Sequence, residues 1–274
     1  MTEPVSPPQQ GGRGVLESAF ALLGALEQTG AAGVTRLAAE CGLPKTTAHR
    51  LLEQLSSLGA VERSRGGYSI GARVFQLGHS WQPYRALRSA VREPMRRLAV
   101  ATGVTVTVNV LRDGADMIVD CVPGRDGLAV PLDSGGMWPW LTASGKTLVA
   151  GVDPGRGGFG GDFSGRAADP SGKAPLPPSW RREAAAIRER GIAFDREEVV
   201  AGICCAAVPL HGGPGAPAAA GTAGTAGASG RPWAPTAALC VITDPAHNLD
   251  RLADALCHAG QAASAALRAG RVGV

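Results

Sequence analysis

A chain of 274 residues with 45% apolar side chains and a formal net charge of +4 is long enough for one large or two medium domains, each with its own core. Its six cysteines (41, 121, 204, 205, 240 and 257) form no CxxC pair and its five histidines have no ligand spacing, so neither a metal nor a cofactor is expected. With no signal-peptide pattern and no apolar run of membrane-spanning length, the expected setting is a reducing cytoplasm away from membranes.

The first 13 residues are rich in Pro, Gln and Gly and read as a disordered arm. From Val15 to Gln28 the set Val15, Leu16, Ala19, Leu22, Leu23 and Leu26 recurs with helical period. A short helix then starts near Thr35, whose hydroxyl is a candidate cap, and Cys41-Gly42-Leu43 makes a turn into a second helix that begins at Pro44 and stops at Gly59. Within this second helix, Ala48, Leu51, Leu52, Leu55 and Leu58 form one face and Lys45, Thr46, His49, Arg50 and Glu53 the other. Strands at Ala60–Arg63 and Tyr68–Ile70 follow, joined by a Gly-rich tip that carries Arg65. Two helices, a tight turn and a basic hairpin make a winged helix-turn-helix, with donors crowded into the first turns of the recognition helix where base and phosphate contacts need them. Charge agrees with that reading: residues 1–100 hold twelve Lys/Arg against seven Asp/Glu, and residues 101–274 hold fifteen against sixteen.

This domain is expected over residues 14–78, and a linker helix over 79–101. In the linker, Leu87, Val91, Met95, Leu98 and Val100 read as buried, with arginines at 85, 88, 92, 96 and 97 outside. From Gly103 the period changes to two: Val104, Val106, Val108 and Val110 alternate with Thr105, Thr107 and Asn109, a half-buried strand. Asp113-Gly114 turns it back into a strand at Met117–Val122. Next come a strand ending at Val130-Pro131-Leu132, a helix starting around Thr142–Ala150, and a helix at Trp180–Arg190. Strands near Ile192–Phe194, Ile203–Pro209 and Ala237–Thr243 follow, then a terminal helix at Leu249–Ala269. Residues 102–274 therefore read as an α/β sandwich around a mainly antiparallel sheet, giving an α+β chain overall. Residues 153–178 and 211–235 are Gly/Pro/Ala-rich and read as mobile loops.

Two motifs mislead. Gly155–Gly160 matches GxGxxG, but neither a strand precedes it nor a helix follows to present amides to a pyrophosphate. Ser144-Gly145-Lys146-Thr147 has the ending of a phosphate-binding loop, but Trp140 stands where the first glycine belongs. Neither a nucleophile elbow nor a catalytic triad stands out, so catalysis is not expected.

Three blocks carry a resemblance to the IclR family of bacterial transcriptional regulators, spanning about Gly14 to Ala269. They are GLPKTTAHRLLEQLSSLGAVER, then VPLDS with TASGKTLVA, and RERGIAFDREEVVAGICCAAVPL followed by ALCVITDP. In the third block Gly191, Asp195, Glu197, Glu198, Gly202 and Cys205 fall together as the family pattern has them. The resemblance implies an N-terminal winged helix-turn-helix followed by a GAF-like α/β effector-binding domain, in a homodimer or homotetramer on a double-stranded DNA operator. Lys45, Thr46, Thr47, His49 and Arg50 would meet the major groove, Arg36 would also contact DNA, and Arg65 with Tyr68 would hold the wing on the DNA backbone. A small organic effector would be bound by Cys121, Val130, Thr142, Ala143, Ser144, Asp195, Ile203, Cys205, Cys240 and Ile242. Free amides at Ser144-Gly145-Lys146, together with the Thr142 and Ser144 hydroxyls at the helix start, would suit an anion such as the carboxylate of a small or aromatic acid.

Individually, these residues also have plainer readings. A Cys in an apolar strand is more often core, Asp195 can simply cap a turn, and adjacent Cys204 and Cys205 point to opposite faces. The chain departs from its relatives by inserting GGMWPWL between Ser134 and Thr142, where Met137, Trp138 and Trp140 would form a lid, a dimer contact or a packed surface loop. The competing class is an α/β enzyme or metabolite-binding protein whose winged domain mediates protein contacts, and a third idea is redox sensing through Cys204 or Cys205.

Overall fold

Leu22, Leu26, Leu37, Ala48, Leu51, Leu52 and Val61 close into one core, and the strands from Val104 onward build another. The chain divides between residues 83 and 84 into two units. The computed structural model describes residues 14–64, 66–80, 84–112, 114–125, 132, 134–151, 159–160, 173–174, 179–212 and 235–269.

The first unit comprises α1 (Val15–Thr29), β1 (Ala31–Ala32), α2 (Val34–Glu40), α3 (Lys45–Ser57), β2 (Val61–Ser64), β3 (Gly67–Ile70) and α4 (Ala72–Ser80). β2 and β3 pair antiparallel as the expected wing, and β1, which is too short to leave a period in the sequence, adds to the other edge of β3. On α3 the apolar face runs through Ala48, Leu51 and Leu52, with Leu55 half-buried, each fully buried leucine stabilising by about 1.5–3 kcal/mol. Leu58 differs from expectation: it caps the helix and is exposed. Thr35 lies inside the first turn of α2, where Gly33 holds the cap position without a side-chain bond. In α1 the buried stripe is Ser18, Leu22 and Leu26, leaving Val15 and Leu16 outside.

The second unit begins with α5 (Arg85–Thr102). Of the linker-helix positions expected to be buried, Val91, Met95 and Leu98 are buried in the second core, whereas Val100 is exposed. Then follow β4 (Thr105–Arg112), β5 (Ala115–Val122), β6 (Met137–Trp138), α6 (Ala143–Val149), β7 (Phe159–Gly160), β8 (Lys173–Ala174), α7 (Trp180–Arg190), β9 (Ala193–Arg196), β10 (Cys204–Leu210), β11 (Ala237–Thr243) and α8 (Leu249–Ala269). β7 and β8 pair as a separate ribbon; the others form one antiparallel sheet in the order β6-β5-β4-β11-β10-β9. Asp113, the expected strand around Val130 and most of the two loop segments lie outside the described residues.

α5 and α8 cover one face of the sheet, packing on Val106, Val108, Val208, Leu239 and Val241. α6 covers the other, over β4, β10 and β11. Thr105, Thr107 and Asn109, expected on a solvated face, are therefore buried. Alternation finds the two faces of a strand but cannot say that both are covered. A bulge in β5, where pairing shifts between Val108↔Asp120 and Asn109↔Ile118, resets the alternation and puts Ile118 and Asp116 on the α6 side.

Candidate functional site

The first candidate surface is the start of α3. Pro44 precedes it, and Lys45, Thr46, His49 and Arg50 are exposed along its outer face, with Thr47 half-buried beside them. Among the described residues neither Lys45 nor Arg50 forms an ion pair, so both remain available for phosphates or base edges. Arg36 on α2 is exposed but pairs with Glu40 at 2.8 Å, one helical turn on. Arg65 is outside the described residues.

Tyr68 is corrected. Its ring is 6% exposed in the first core, and its hydroxyl donates to Glu53 Oε1 at 2.9 Å while accepting from Arg63 Nη2 at 3.1 Å. Arg63 also pairs with Glu53, and the bonds from Tyr68 and Arg63 lower the Glu53 pKa. These three residues fasten the wing to α3. The pattern of polar residues on a basic hairpin cannot separate a donor that faces DNA from one that braces the hairpin, because β-strand parity decides it.

The second candidate is a small cavity on the α6 side of the sheet, open in part to solvent. Thr142, Ser144, Asp195, Ile203, Cys205, Cys240 and Ile242 line it as expected. Ala143 is buried against Cys205 and Cys240 beneath the lining, Cys121 sits on β5 outside it, and Val130 is outside the described residues. Cys204 faces the opposite core, as strand parity requires. Burial raises the pKa of Cys204, and the neighbouring Cys240 together with burial raises that of Cys205, so both are thiols rather than reactive thiolates.

Sequence reading missed Asn109, Asp116, Ile118, Val199 and Val200, whereas Leu132 stood in a block that carries the resemblance and Trp138 in the candidate lid. Asp116 matters most. It is 1% exposed, and Oδ2 accepts hydrogen bonds from Thr142 Oγ1 (2.6 Å) and Ser144 Oγ. Burial raises its pKa to about 6, against the lowering effects of Ser144, Thr142 and nearby Asn109. Thr142 Oγ1 in turn accepts from the Gly145 amide at 3.0 Å, capping α6. Part of the expected carboxylate anchor is thus already engaged: both hydroxyls serve Asp116, the Gly145 amide serves the cap, and the Lys146 amide bonds to the Thr142 carbonyl. The signal for Asp116 was an acid beside apolar residues, as at Asp120 of the same strand, but the bulge hid which face it takes.

The Trp insertion also resolves. Met137 and Trp138 form β6, paired with Met117 and Asp116, and Trp138 lines the cavity. Trp140 is no lid: it is 4% exposed and packs edge-on against Trp180 at 5.0 Å. Gly145 lies so close to this turn that a Cβ there would come within 2.4 Å of the Trp140 carbonyl oxygen.

A second wall of the cavity comes from residues 195–203. Asp195 Oδ1 accepts from the Glu198 amide at 2.8 Å, so it caps this turn and lines the cavity at once; burial raises its pKa. Glu197 adopts a φ of +62°, unusual for a residue with a side chain, and is held there by its amide bond to Ile203 O and by the Gly202 amide on its carboxylate. Glu198 reaches Lys146 Nζ at 2.6 Å, and Glu183 of α7 reaches it at 2.8 Å. Lys146 is 1% exposed; burial pulls its pKa down, but the two carboxylates outweigh this and the net shift is upward. The lysine of the apparent phosphate-loop ending therefore ties α6 to α7 and to the 195–203 turn.

Among the described residues no group of three His, Cys, Asp or Glu side chains could hold a metal, and no helix is long and apolar enough to cross a membrane.

Comparison with known proteins matches the IclR helix-turn-helix domain to residues 15–65 and the C-terminal domain of bacterial IclR transcriptional regulators to residues 84–225. The chain is 30% identical over 186 residues to the transcriptional repressor IclR of Escherichia coli K12, covering 66% of this chain and 68% of that protein. It is 32% identical over 182 residues to the glycerol operon regulatory protein of Streptomyces coelicolor, covering 65% and 71%. Two solved structures share the fold. The Thermotoga maritima IclR has a TM-score of 0.64 at 20% identity, covering 92% of this chain and 98% of that one. An IclR homologue from Microbacterium hydrocarbonoxydans complexed with 4-hydroxybenzoate has a TM-score of 0.68 at 18% identity, covering 93% and 100%.

Proposed function

The chain belongs to the IclR family of bacterial transcriptional regulators, and we propose that it binds its operator through the start of α3 and releases or retains it according to a small organic molecule in the cavity beside α6. It is a DNA-binding regulator rather than an enzyme, as its relatives are. The observation that carries the DNA reading is the unpaired basic start of α3: Lys45, Thr46, Thr47, His49 and Arg50 enter the major groove, while Arg65 at the wing tip and Arg36 on α2 meet phosphates. The cavity supports a small effector, and the relative that carries 4-hydroxybenzoate supports a compact, partly apolar one.

We also propose a homodimer or homotetramer, since operators read by such domains present paired half-sites. Leu16 and Phe20 on α1 are 76% and 73% exposed, and Phe75 on α4 is 74% exposed in a helix with no buried residue. These apolar positions suit contact with another copy.

The test is titration of the full chain against DNA from upstream of its own gene at several salt concentrations. A specific shift that weakens as salt rises is expected, and Arg50→Ala should cost about 1–3 kcal/mol if Arg50 contacts a base edge bidentately. Absence of any salt-dependent shift would remove the main support for the DNA reading, and unchanged affinity in Arg50→Ala would remove that residue from the interface.

A further inference from the structure

Two buried side-chain atoms among the described residues have no hydrogen-bond partner: Trp180 Nε1, which packs away from the cavity, and Asp116 Oδ1, on a residue that lines it. The other Asp116 oxygen is saturated by Thr142 and Ser144, so the side chain is locked in place with one acceptor left over. The Asn109 side chain is the smallest of the three hydrogen-bonding influences that lower the Asp116 pKa, and its own amide oxygen accepts from Thr107 Oγ1 at 2.7 Å. A buried acceptor without a donor is costly, and that cost is recovered if a bound molecule supplies one.

The charges around the cavity agree. Its described lining contains two carboxylates, Asp116 and Asp195, and neither lysine nor arginine. The nearest buried cation, Lys146, is outside the lining and already held by Glu183 and Glu198. An anion entering here would meet two acids with no counter-charge among the described lining residues. The remaining walls, from Ile118, Trp138, Ile203 and Ile242, are apolar.

We propose that Asp116 is the specificity-determining residue of this cavity and selects an effector with an apolar body whose buried end is an uncharged or cationic O–H or N–H donor, an alcohol, phenol or amine, in preference to a free carboxylate. This rests on the reading of the cavity as the effector site. The donor hydrogen-bonds to Oδ1 and completes the set that Thr142 and Ser144 begin, which couples ligand binding directly to the cap of α6.

Matched probes test it on the full chain at pH 7.5: benzyl alcohol against benzoate, and cyclohexanol against cyclohexanecarboxylate, read by thermal shift, by calorimetric titration and by operator affinity. The alcohol of each pair is expected to bind and the carboxylate to bind at least tenfold more weakly, with Asp116→Asn losing at least tenfold in alcohol affinity. Carboxylates that bind wild type as well as the alcohols, and alter operator affinity, would overturn the proposal and leave the cavity as the effector site. Alcohols that bind wild type and Asp116→Asn equally would overturn it too. If no probe binds and none alters operator affinity, the proposal and the reading of the cavity fail together.

Discussion

Asp116 holds a charge at a place where burial opposes it, which has a pH signature of its own. Its folded pKa lies near 6, above the ordinary value of 3.8, so between these values the folded chain binds more protons than the unfolded one. The group therefore destabilises the fold above pH 6, and that cost is relieved as pH falls through 6 toward 4. A shift of roughly two units corresponds to about 3 kcal/mol. Asp116→Asn, which keeps an oxygen for Thr142 and Ser144, should be more stable than wild type by up to about 3 kcal/mol at pH 7.5 in urea denaturation, and no more stable near pH 4. An equal difference at both values would show that packing, not charge, sets it. A residue kept at such a cost is more readily explained by ligand selection than by structure. The proposed DNA-contact positions divide by how local their signal is: the exposure of Lys45 and Arg50 was legible because a helix face follows from spacing, whereas Tyr68 was misplaced because its outward look depended on a strand parity that the core decides.

At the level of elements, α6 is the hinge between chemistry and packing. Its seven residues are all buried, its cap is Thr142, and Lys146 binds it to both α7 and the 195–203 turn. Gly145 lets it approach the Trp140 turn so closely that any side chain would collide with backbone. Gly145→Ala should cost about 1–3 kcal/mol of stability in the second unit and weaken ligand-induced thermal shifts, with operator binding by the first unit retained. Full stability in this variant would mean that the turn can yield. The resemblance placed Gly191, Asp195, Glu197, Glu198 and Gly202 together, and the structure supplies reasons for them: a turn with positive φ at Glu197 and Gly202, a side-chain cap from Asp195, and a carboxylate from Glu198 on a buried lysine.

For the whole molecule, the two units each close their own core, yet α1 and α4 leave large apolar side chains outside. Phe20→Glu and Phe75→Glu should lower the assembly mass seen by sedimentation and weaken operator binding through loss of paired half-sites, while the far-ultraviolet spectrum is kept. An unchanged mass in both would place the contact elsewhere. The boundary between units also has a whole-molecule lesson. A basic amphipathic helix after the wing looked like a linker, but its apolar stripe from Val91 to Ala99 is long enough to serve as an inner wall of the second core, and α8 and β4 take it up.

What the residues by themselves determined was the set of elements whose identity is local: the recognition helix, α7, β11 and α8 are where periodicity and turn residues placed them, and both domain types followed from their order. Seven of the ten expected cavity residues also line it, because the blocks that carry the family resemblance come from three separate stretches that the fold brings together. What only the tertiary structure decided was which side of each strand is covered and by what. A single bulge in β5 turns Asp116 and Ile118 toward α6, and the pairing of β6 on that edge brings Trp138 beside them. Those are non-local choices of register, invisible to spacing along the chain, and they set the chemistry of the cavity floor.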